Sequence, residues 1–279
     1  MTPLARGSGV AGVELYECDW LAGARVLAPA SIDLLYADLP FNTGRTQMGT
    51  RGSAASYTDS WPTNKDYVDW LRRRLVATMP AMKQTGSVLL HADFRVCHHI
   101  RLLLDELLGE HNFVNHLIWS YGLGGSSPRR FARKHDDILF YSICPDNYYF
   151  EPPMVPATSR RMAGMLKKAT DVIAIASLNN QALERTGYPT QKPLSLLTML
   201  VTACSPIGGT VLDPCCGSGT TLIAAHAAGR RAIGFDMSVE AVAASASRLK
   251  GVGEAPPGPA RRVRGDVGRE RAAGRSAGT

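Results

Sequence analysis

LDPCCGSGTT, residues 212 to 221, joins a short apolar strand, Thr210 to Leu212, to an alanine-rich helix expected over Leu222 to Ala228. Gly217 and Gly219 permit a tight turn whose backbone can approach a ligand closely, and the first amides of the helix behind it are free to bind polar ligand atoms. A second short strand, Arg231 to Phe235, ends at Asp236. A carboxylate at such a strand end can accept two hydrogen bonds from a ribose diol, so the pair of features points to a nucleoside-containing cofactor. The glycine spacing is neither the full GxGxxG of a dinucleotide site nor the GxxxxGK[ST] of a triphosphate loop.

Outward from this stretch the same alternation repeats. Val239 to Leu249 has helical spacing, and Pro193 leads into a helix over Leu194 to Ala203. Ile32 to Ala37 reads as a strand that empties into Asp38-Leu39-Pro40-Phe41, placing Asp38 and Phe41 at its carboxyl end, where α/β sheets bind ligands. Asp66 to Met79 is expected as a helix, Gly86 as a break, and Val88 to His91 as the next strand. Asp93 is a candidate cap for a helix running to Leu108 and ended by Gly109. Residues 115–121 and 136–143 read as a hairpin with a long loop or as two strands of a mixed sheet, and 150–186 is open between helices and an irregular insertion. Alternation of this kind predicts a three-layer, mostly parallel α/β domain.

The chain has 279 residues, 45% of them hydrophobic, and a net charge of +7. That balance excludes a strongly acidic solvated protein and admits nucleic acid among several partners. Cys18, Cys97, Cys144, Cys204, Cys215 and Cys216 are scattered, which favours a reduced protein and supplies no zinc-ribbon spacing. His98 and His99 are expected to point in different directions on their helix, and no metal is assigned. Absence of a signal segment or a membrane-length apolar run makes the cytoplasm the expected compartment. Residues 251 to 279 hold seven Gly, three Pro and six Arg without an aromatic, and read as a disordered basic tail.

ADLPFNTG at 37–44, TGYPTQKP at 186–193, LDPCCGSGTT at 212–221 and AIGFD at 232–236, taken in that order, resemble the permuted beta class of S-adenosylmethionine-dependent DNA amino methyltransferases. The likeness covers approximately residues 13 to 250. It implies a three-layer Rossmann-like methyltransferase fold over 1–250 with permuted motif order and a mostly parallel seven-stranded sheet, S-adenosyl-L-methionine as donor, and an exocyclic amine of a flipped base in double-stranded DNA as acceptor. By the same resemblance, Asp213, Cys215, Gly217, Ser218, Gly219 and Thr220 belong to the cofactor loop and Asp236 to the ribose. Thr190, Gln191, Lys192 and Pro193 form the other cofactor segment, with Lys192 on the methionyl carboxylate, and Asp19 approaches the cofactor adenine. Asp38, Leu39, Pro40 and Phe41 correspond to the catalytic Asp-Pro-Pro-Tyr or Phe turn. The Asp38 carboxylate and Leu39 carbonyl would accept the amine hydrogens while Phe41 stacks on the base. Leu39 departs from the usual proline and is expected to have a wider conformational range, with a side chain that crowds the pocket.

DNA contacts are expected in insertions at 42–60 and 122–186. Arg45 and Arg51 follow the catalytic turn, with Tyr57 beside them. Arg129, Arg130, Arg133 and Lys134 gather in a loop where Phe131 either packs beneath or enters a groove. Arg160, Arg161, Lys167 and Lys168 form a second phosphate-contact candidate. Adenine N6 is the expected acceptor and cytosine N4 the alternative, in a restriction–modification setting, with a homodimer allowed for. RNA methylation, or DNA binding with weak catalysis as Leu39 would permit, are the competing functions.

Overall fold

In the computed structural model, which describes residues 6–7, 10–48, 56–122, 126–178 and 184–252, these elements build one central sheet with helices on both faces. The strands are β1 (Arg6–Gly7), β2 (Val13–Glu17), β3 (Ile32–Asp38), β4 (Arg45–Met48), β5 (Ser56–Asp59), β6 (Met82–Ala92), β7 (Phe113–Ser120), β8 (His135–Ser142), β9 (Met154–Pro156), β10 (Leu166–Lys168), β11 (Val172–Ala174), β12 (Thr210–Asp213) and β13 (Arg231–Asp236). The helices are α1 (Trp20–Ala24), α2 (Asn64–Thr78), α3 (Cys97–Leu108), α4 (Leu194–Cys204), α5 (Thr220–Ala227) and α6 (Val239–Lys250).

Sheet order is β1-β2-β13-β12-β3-β6-β8-β7-β11. The run from β2 to β6 is parallel, β8 is antiparallel to both of its neighbours, and β7 therefore points the same way as β6. Among the described residues the sheet has nine strands where the resemblance implied seven. The two outermost, β1 and β11, are only two and three residues long and extend the edges. β4 pairs with β5, and β9 with β10, as separate two-stranded hairpins.

Alternation along the strands divides the core. Leu34, Tyr36 and Leu89 join the apolar cluster made with α4, α5 and the end of α6, whereas Leu35, Ala37, Val88 and Leu90 join the cluster made with α1, α2 and α3. Side chains that point to opposite faces at period two bury a helix layer on each side, which gives three layers. The parallel run aligns the carboxyl ends of β2, β3, β12 and β13, and the acids Asp19, Asp38, Asp213 and Asp236 stand at or just beyond those ends.

Three local expectations change. Gly86 lies within β6 and does not break it: a Cβ there would meet the Lys83 carbonyl at 2.9 Å, and the β3–β6 register shifts nearby, so glycine accommodates an irregular strand. Asp93 does not cap α3, whose N-cap is Val96. Its side chain instead accepts from the Arg95 amide at 2.8 Å, closing a turn before the helix. Rings of His98 and His99 lie 4.0 Å apart rather than diverging, since adjacent helical residues can still converge through their rotamers. In the interval 150–186, which the sequence left open, the described residues hold β9, β10, β11 and one short 3-10 turn at Arg160–Met162. Gly109 does end α3, with φ at 94°. Six cysteines are free thiols, and no described helix is long and apolar enough to cross a membrane. Arg51 and the segment 253–279, which holds nearly all of the expected basic tail, lie outside the described residues.

Candidate active site

Strand β12 delivers Asp213 to the loop, and the Asp213 carboxylate accepts from the Cys215 amide at 3.1 Å. The Gly217 amide donates to Asp236 at 2.9 Å, and Asp236 also accepts from the Ser238 amide at 2.9 Å, so the second carboxylate fastens the glycine turn to the start of α6. Gly217 has φ at 50° and a Cβ there would press on the Tyr188 ring at 3.0 Å. Gly219 is the left-handed N-cap of α5, where a Cβ would meet Ser245 Oγ at 2.7 Å. Both glycines are therefore required by backbone shape and by close packing. Behind the loop, Arg248 of α6 donates to the Ser218 carbonyl at 2.7 Å and to the hydroxyls of Ser218 and Thr220 at 3.1 and 2.9 Å. Sequence reading missed this prop, because an arginine on a terminal helix carries no local sign of what it holds.

Asp213, Cys215, Gly217, Ser218, Thr220 and Asp236 line a cavity of about 270 Å³ together with Asp19, Asp38, Pro40, Thr190, Gln191 and Lys192. Asp19 caps α1 through the Leu21 amide at 2.8 Å and pairs with Arg74, whose guanidinium lies 4.3 Å from the Trp70 ring centroid. Trp20, Trp61 and Trp70, none of them in a quoted motif, add an aromatic wall with Tyr188 of the 186–193 segment. Thr190 has φ at 57°, a conformation a β-branched residue rarely adopts, and that strain sits within the lining. Gln191 is engaged inside its own loop, accepting from Thr186 at 2.9 Å and donating to the Glu184 carbonyl at 2.7 Å. Pro193 is the N-cap of α4 and Gly219 that of α5, and neither lines the cavity.

Burial dominates the charges here. It pushes the Asp213 carboxyl up to about 7, against hydrogen bonds from Thr221 and the Cys215 amide, and it raises Asp236. The same burial raises the thiols of Cys215 and Cys216, which therefore line the site as neutral groups. A buried carboxyl poised between its two forms, beside helix-start amides and a second carboxylate, suits a ligand that brings an ammonium and a diol. The donor set thus fits S-adenosylmethionine.

Lys192 lines the cavity with the 213–220 loop and is at the same time paired with the 38–41 turn. Its ammonium contacts both oxygens of Asp38 at 2.7 Å, with side-chain exposures of 9% and 20%. Leu39 differs from expectation, because its side chain is buried in the apolar cluster of α1, α2 and α3 and does not crowd the pocket. Its amide donates to the His91 carbonyl at 3.1 Å, a bond that proline could not make. Phe41 points into a neighbouring cleft of about 440 Å³ lined also by Phe94, Trp119, Tyr121, Arg133, Asp136 and Arg185. Thr190, Gln191 and Lys192 line both spaces, so cavity and cleft meet at this segment, beside the Asp38–Lys192 pair.

Beneath the cleft, Tyr36 Oη lies 2.9 Å from His91 Nδ1, His91 Nε2 lies 3.3 Å from Asp136, and Tyr121 donates to Asp136 at 3.0 Å. A carboxylate only accepts, which places the His91 proton on Nε2 and makes Nδ1 the acceptor for Tyr36. The fully buried His91 ring lies 6.1 Å from the Phe41 ring and 5.6 Å from that of Trp119. Sequence reading took His91 only as the end of a strand.

Of the expected DNA-contact residues, Arg133 lines the cleft, and Arg129 and Arg130 are exposed in the same loop. Lys134 is half-buried at the foot of that loop, where its carbonyl accepts from the Tyr121 amide at 2.9 Å. Arg45 is exposed on β4, in a hairpin tied to the segment after the 38–41 turn by the buried Asp59, which accepts from the Asn42 amide and the Thr43 hydroxyl at 2.7 Å each. Arg160, Arg161, Lys167 and Lys168 stand on and beside the β9–β10 hairpin, and none lines either space. Among the described residues, Cys97, His116 and Asp137 bring ligand-type atoms within 4.8 Å of one another. Their contacts converge on one nitrogen, His116 Nε2, which lies 2.7 Å from Asp137 and 3.8 Å from Cys97.

A DNA methylase family model, of the N6 and N4 type, matches residues 32–247. The type II methyltransferase M.ScaI of Streptomyces caespitosus is 25% identical over 260 residues, which cover 85% of this chain and 81% of that protein. M.HpaI of Haemophilus parainfluenzae is 28% identical over 223 residues, covering 78% and 68%. Among solved structures, the cytosine-N4-specific PvuII DNA methyltransferase superposes with a TM-score of 0.65 at 17% identity, covering 88% of this chain and 89% of that one, a likeness of fold.

Proposed function

The chain belongs to the DNA methylase family of N6 and N4 type, an S-adenosylmethionine-dependent DNA amino-methyltransferase, and within that activity we propose that its acceptor is adenine N6, extruded from the duplex onto Phe41. The observation that carries the reading is the junction of two spaces at one ion pair. Cofactor-loop residues and Asp38 line the cavity, Phe41 lines the cleft, and Lys192 belongs to both. When bound, S-adenosylmethionine supplies a methyl group on a sulfonium, a strong electrophile.

Asp213, the Gly217–Gly219 turn, Thr220 and Asp236 would hold the donor, with Asp213 ionising against its ammonium and Asp236 toward its ribose. Asp38 accepts a hydrogen of the acceptor amine and the Leu39 carbonyl accepts the other, which favours a tetrahedral nitrogen with its lone pair directed at the methyl group. An amine that gains a methyl group would become cationic, and Asp38 is placed to take the proton it would then shed. Lys192 holds Asp38 between the two spaces until the amine arrives. Adenine is favoured by resemblance, since Asp38 matches the acidic start common among the N6-adenine members. The permuted order is supported by a catalytic turn at 38–41 that precedes the cofactor loop at 213–219 in the chain.

Incubation with random-sequence DNA and isotopically labelled donor, followed by nucleoside mass analysis and mapping of modified sites, should yield N6-methyladenine. N4-methylcytosine as the sole product would overturn the base assignment and leave the donor site intact. Asp38→Ala should lower the single-turnover methylation rate by about 10²-fold or more while donor affinity changes only several-fold. Equal loss of both would remove Asp38 from the acceptor side.

A further inference from the structure

The segment 126–134 rises from the rim of the acceptor cleft. Tyr121 and His135, at the ends of the adjoining strands, line that cleft, as does Arg133 near the loop's foot. No acidic residue occurs from 122 to 135, while Arg129, Arg130, Arg133 and Lys134 do. At the centre of these cations Phe131 is 98% exposed. The other aromatic rings here are engaged: Phe94 has the guanidinium groups of Arg133 and Arg95 at 3.4 and 4.8 Å from its centroid, and Trp119 and Tyr121 contact each other. Phe131 therefore neither packs beneath its loop nor completes the cleft wall.

An apolar ring held wholly in water forgoes the burial that drives most phenylalanines inward. A partner that answers both features must offer negative charge around a flat apolar slot, and duplex DNA with one base extruded does so: phosphates flank the gap and base faces line it. Extrusion costs a few kcal/mol of lost stacking and pairing, and an inserted side chain restores part of it. On the reading that this chain methylates an extruded base, we propose that Phe131 enters the duplex and fills the position the target base leaves, with Arg129, Arg130 and Arg133 seating the backbone on either side. Phe131 is thus a positioning residue: it holds the extruded state while Phe41, across the cleft, receives the base.

The test uses the full chain and duplexes carrying the sequence that the modification map identifies. Phe131→Ala should lower kcat/KM on the paired duplex about tenfold, from the loss of one aromatic–base stack, and reduce the fluorescence rise of 2-aminopurine placed at the target. Donor affinity should not change. A duplex whose target lies opposite an abasic site is already unpaired, and on it Phe131→Ala should recover most of the wild-type rate. Phe131→Trp should retain activity, and its added indole emission should be quenched on binding. Arg129→Gln and Arg130→Gln should instead reduce the salt dependence of binding by about one unit of slope each, without abasic rescue. Wild-type rates for Phe131→Ala on both duplexes, or equal losses on both, would overturn the inference while leaving the methyl-transfer reading in place. A wild-type protein that methylates no DNA would overturn that reading first, and this inference with it.

Discussion

Asp213 sets a pH window that can be read in binding. Burial holds its carboxyl protonated up to about 7, whereas an unfolded aspartate ionises near 3.8. Between those values the folded, ligand-free chain binds more protons than the unfolded one, so this residue lowers stability as pH rises through the window. A cationic ligand group reverses the preference, because it favours the ionised form. Donor affinity should therefore climb with pH, approaching tenfold per unit well below 7, and level off above it. Calorimetric titration from pH 5.5 to 8.5 would show the climb, and Asp213→Asn should flatten it. At Leu39 the expectation from family pattern reverses: proline would delete the hydrogen bond to the His91 carbonyl. Leu39→Pro should cost about 1 kcal/mol of stability in urea unfolding and bring no gain in rate.

At the scale of elements, two helices act on the cavity from opposite sides. α2 begins with a capping box in which the Thr63 hydroxyl accepts from the Asp66 amide and Asp66 accepts from the Thr63 amide, both at 3.1 Å. Thr63→Ala should destabilise the fold by about 1 kcal/mol. Donor affinity should hold, because Trp70 and Arg74 lie in the second and third turns of the helix. α6 acts through Arg248, which fastens the Ser218 carbonyl and the hydroxyls of Ser218 and Thr220 in the glycine turn. Arg248→Met keeps the apolar stem and removes those bonds. Hydrogen bonds to a charged group contribute roughly 1.5 to 3 kcal/mol, so donor affinity should fall at least tenfold, and unchanged affinity in a folded variant would show that the loop holds its shape without the prop.

For the whole molecule, charge distribution governs association with DNA. Truncation after Lys250 removes six arginines and three acidic residues and takes the net charge from +7 to +4. If the tail contacts phosphates, DNA affinity should fall at low salt and converge with that of the full chain at high salt, where screening and counterion competition suppress such contacts. Filter binding across a salt series reads this, and donor affinity should be the same in both chains. Identical affinities throughout would assign the tail no part in binding.

What the sequence by itself determined was local: strands that end in Asp38, Asp213 and Asp236, a glycine turn between β12 and α5, and the order of motifs that marks the family. Each rests on backbone preference or on periodicity within a few residues, which neighbouring side chains suffice to specify. Only the tertiary structure decided which partners those residues meet. Lys192 reaches Asp38 across 154 positions of chain, Tyr36 reaches His91 across 55, and Trp61 and Trp70 become cavity walls because α2 packs beside α1. Leu39 turns into the helix layer rather than the pocket by the same logic. In a strand, a shift of one residue sends a side chain to the opposite face, and packing of the two helix layers, summed over both cores, selects the face.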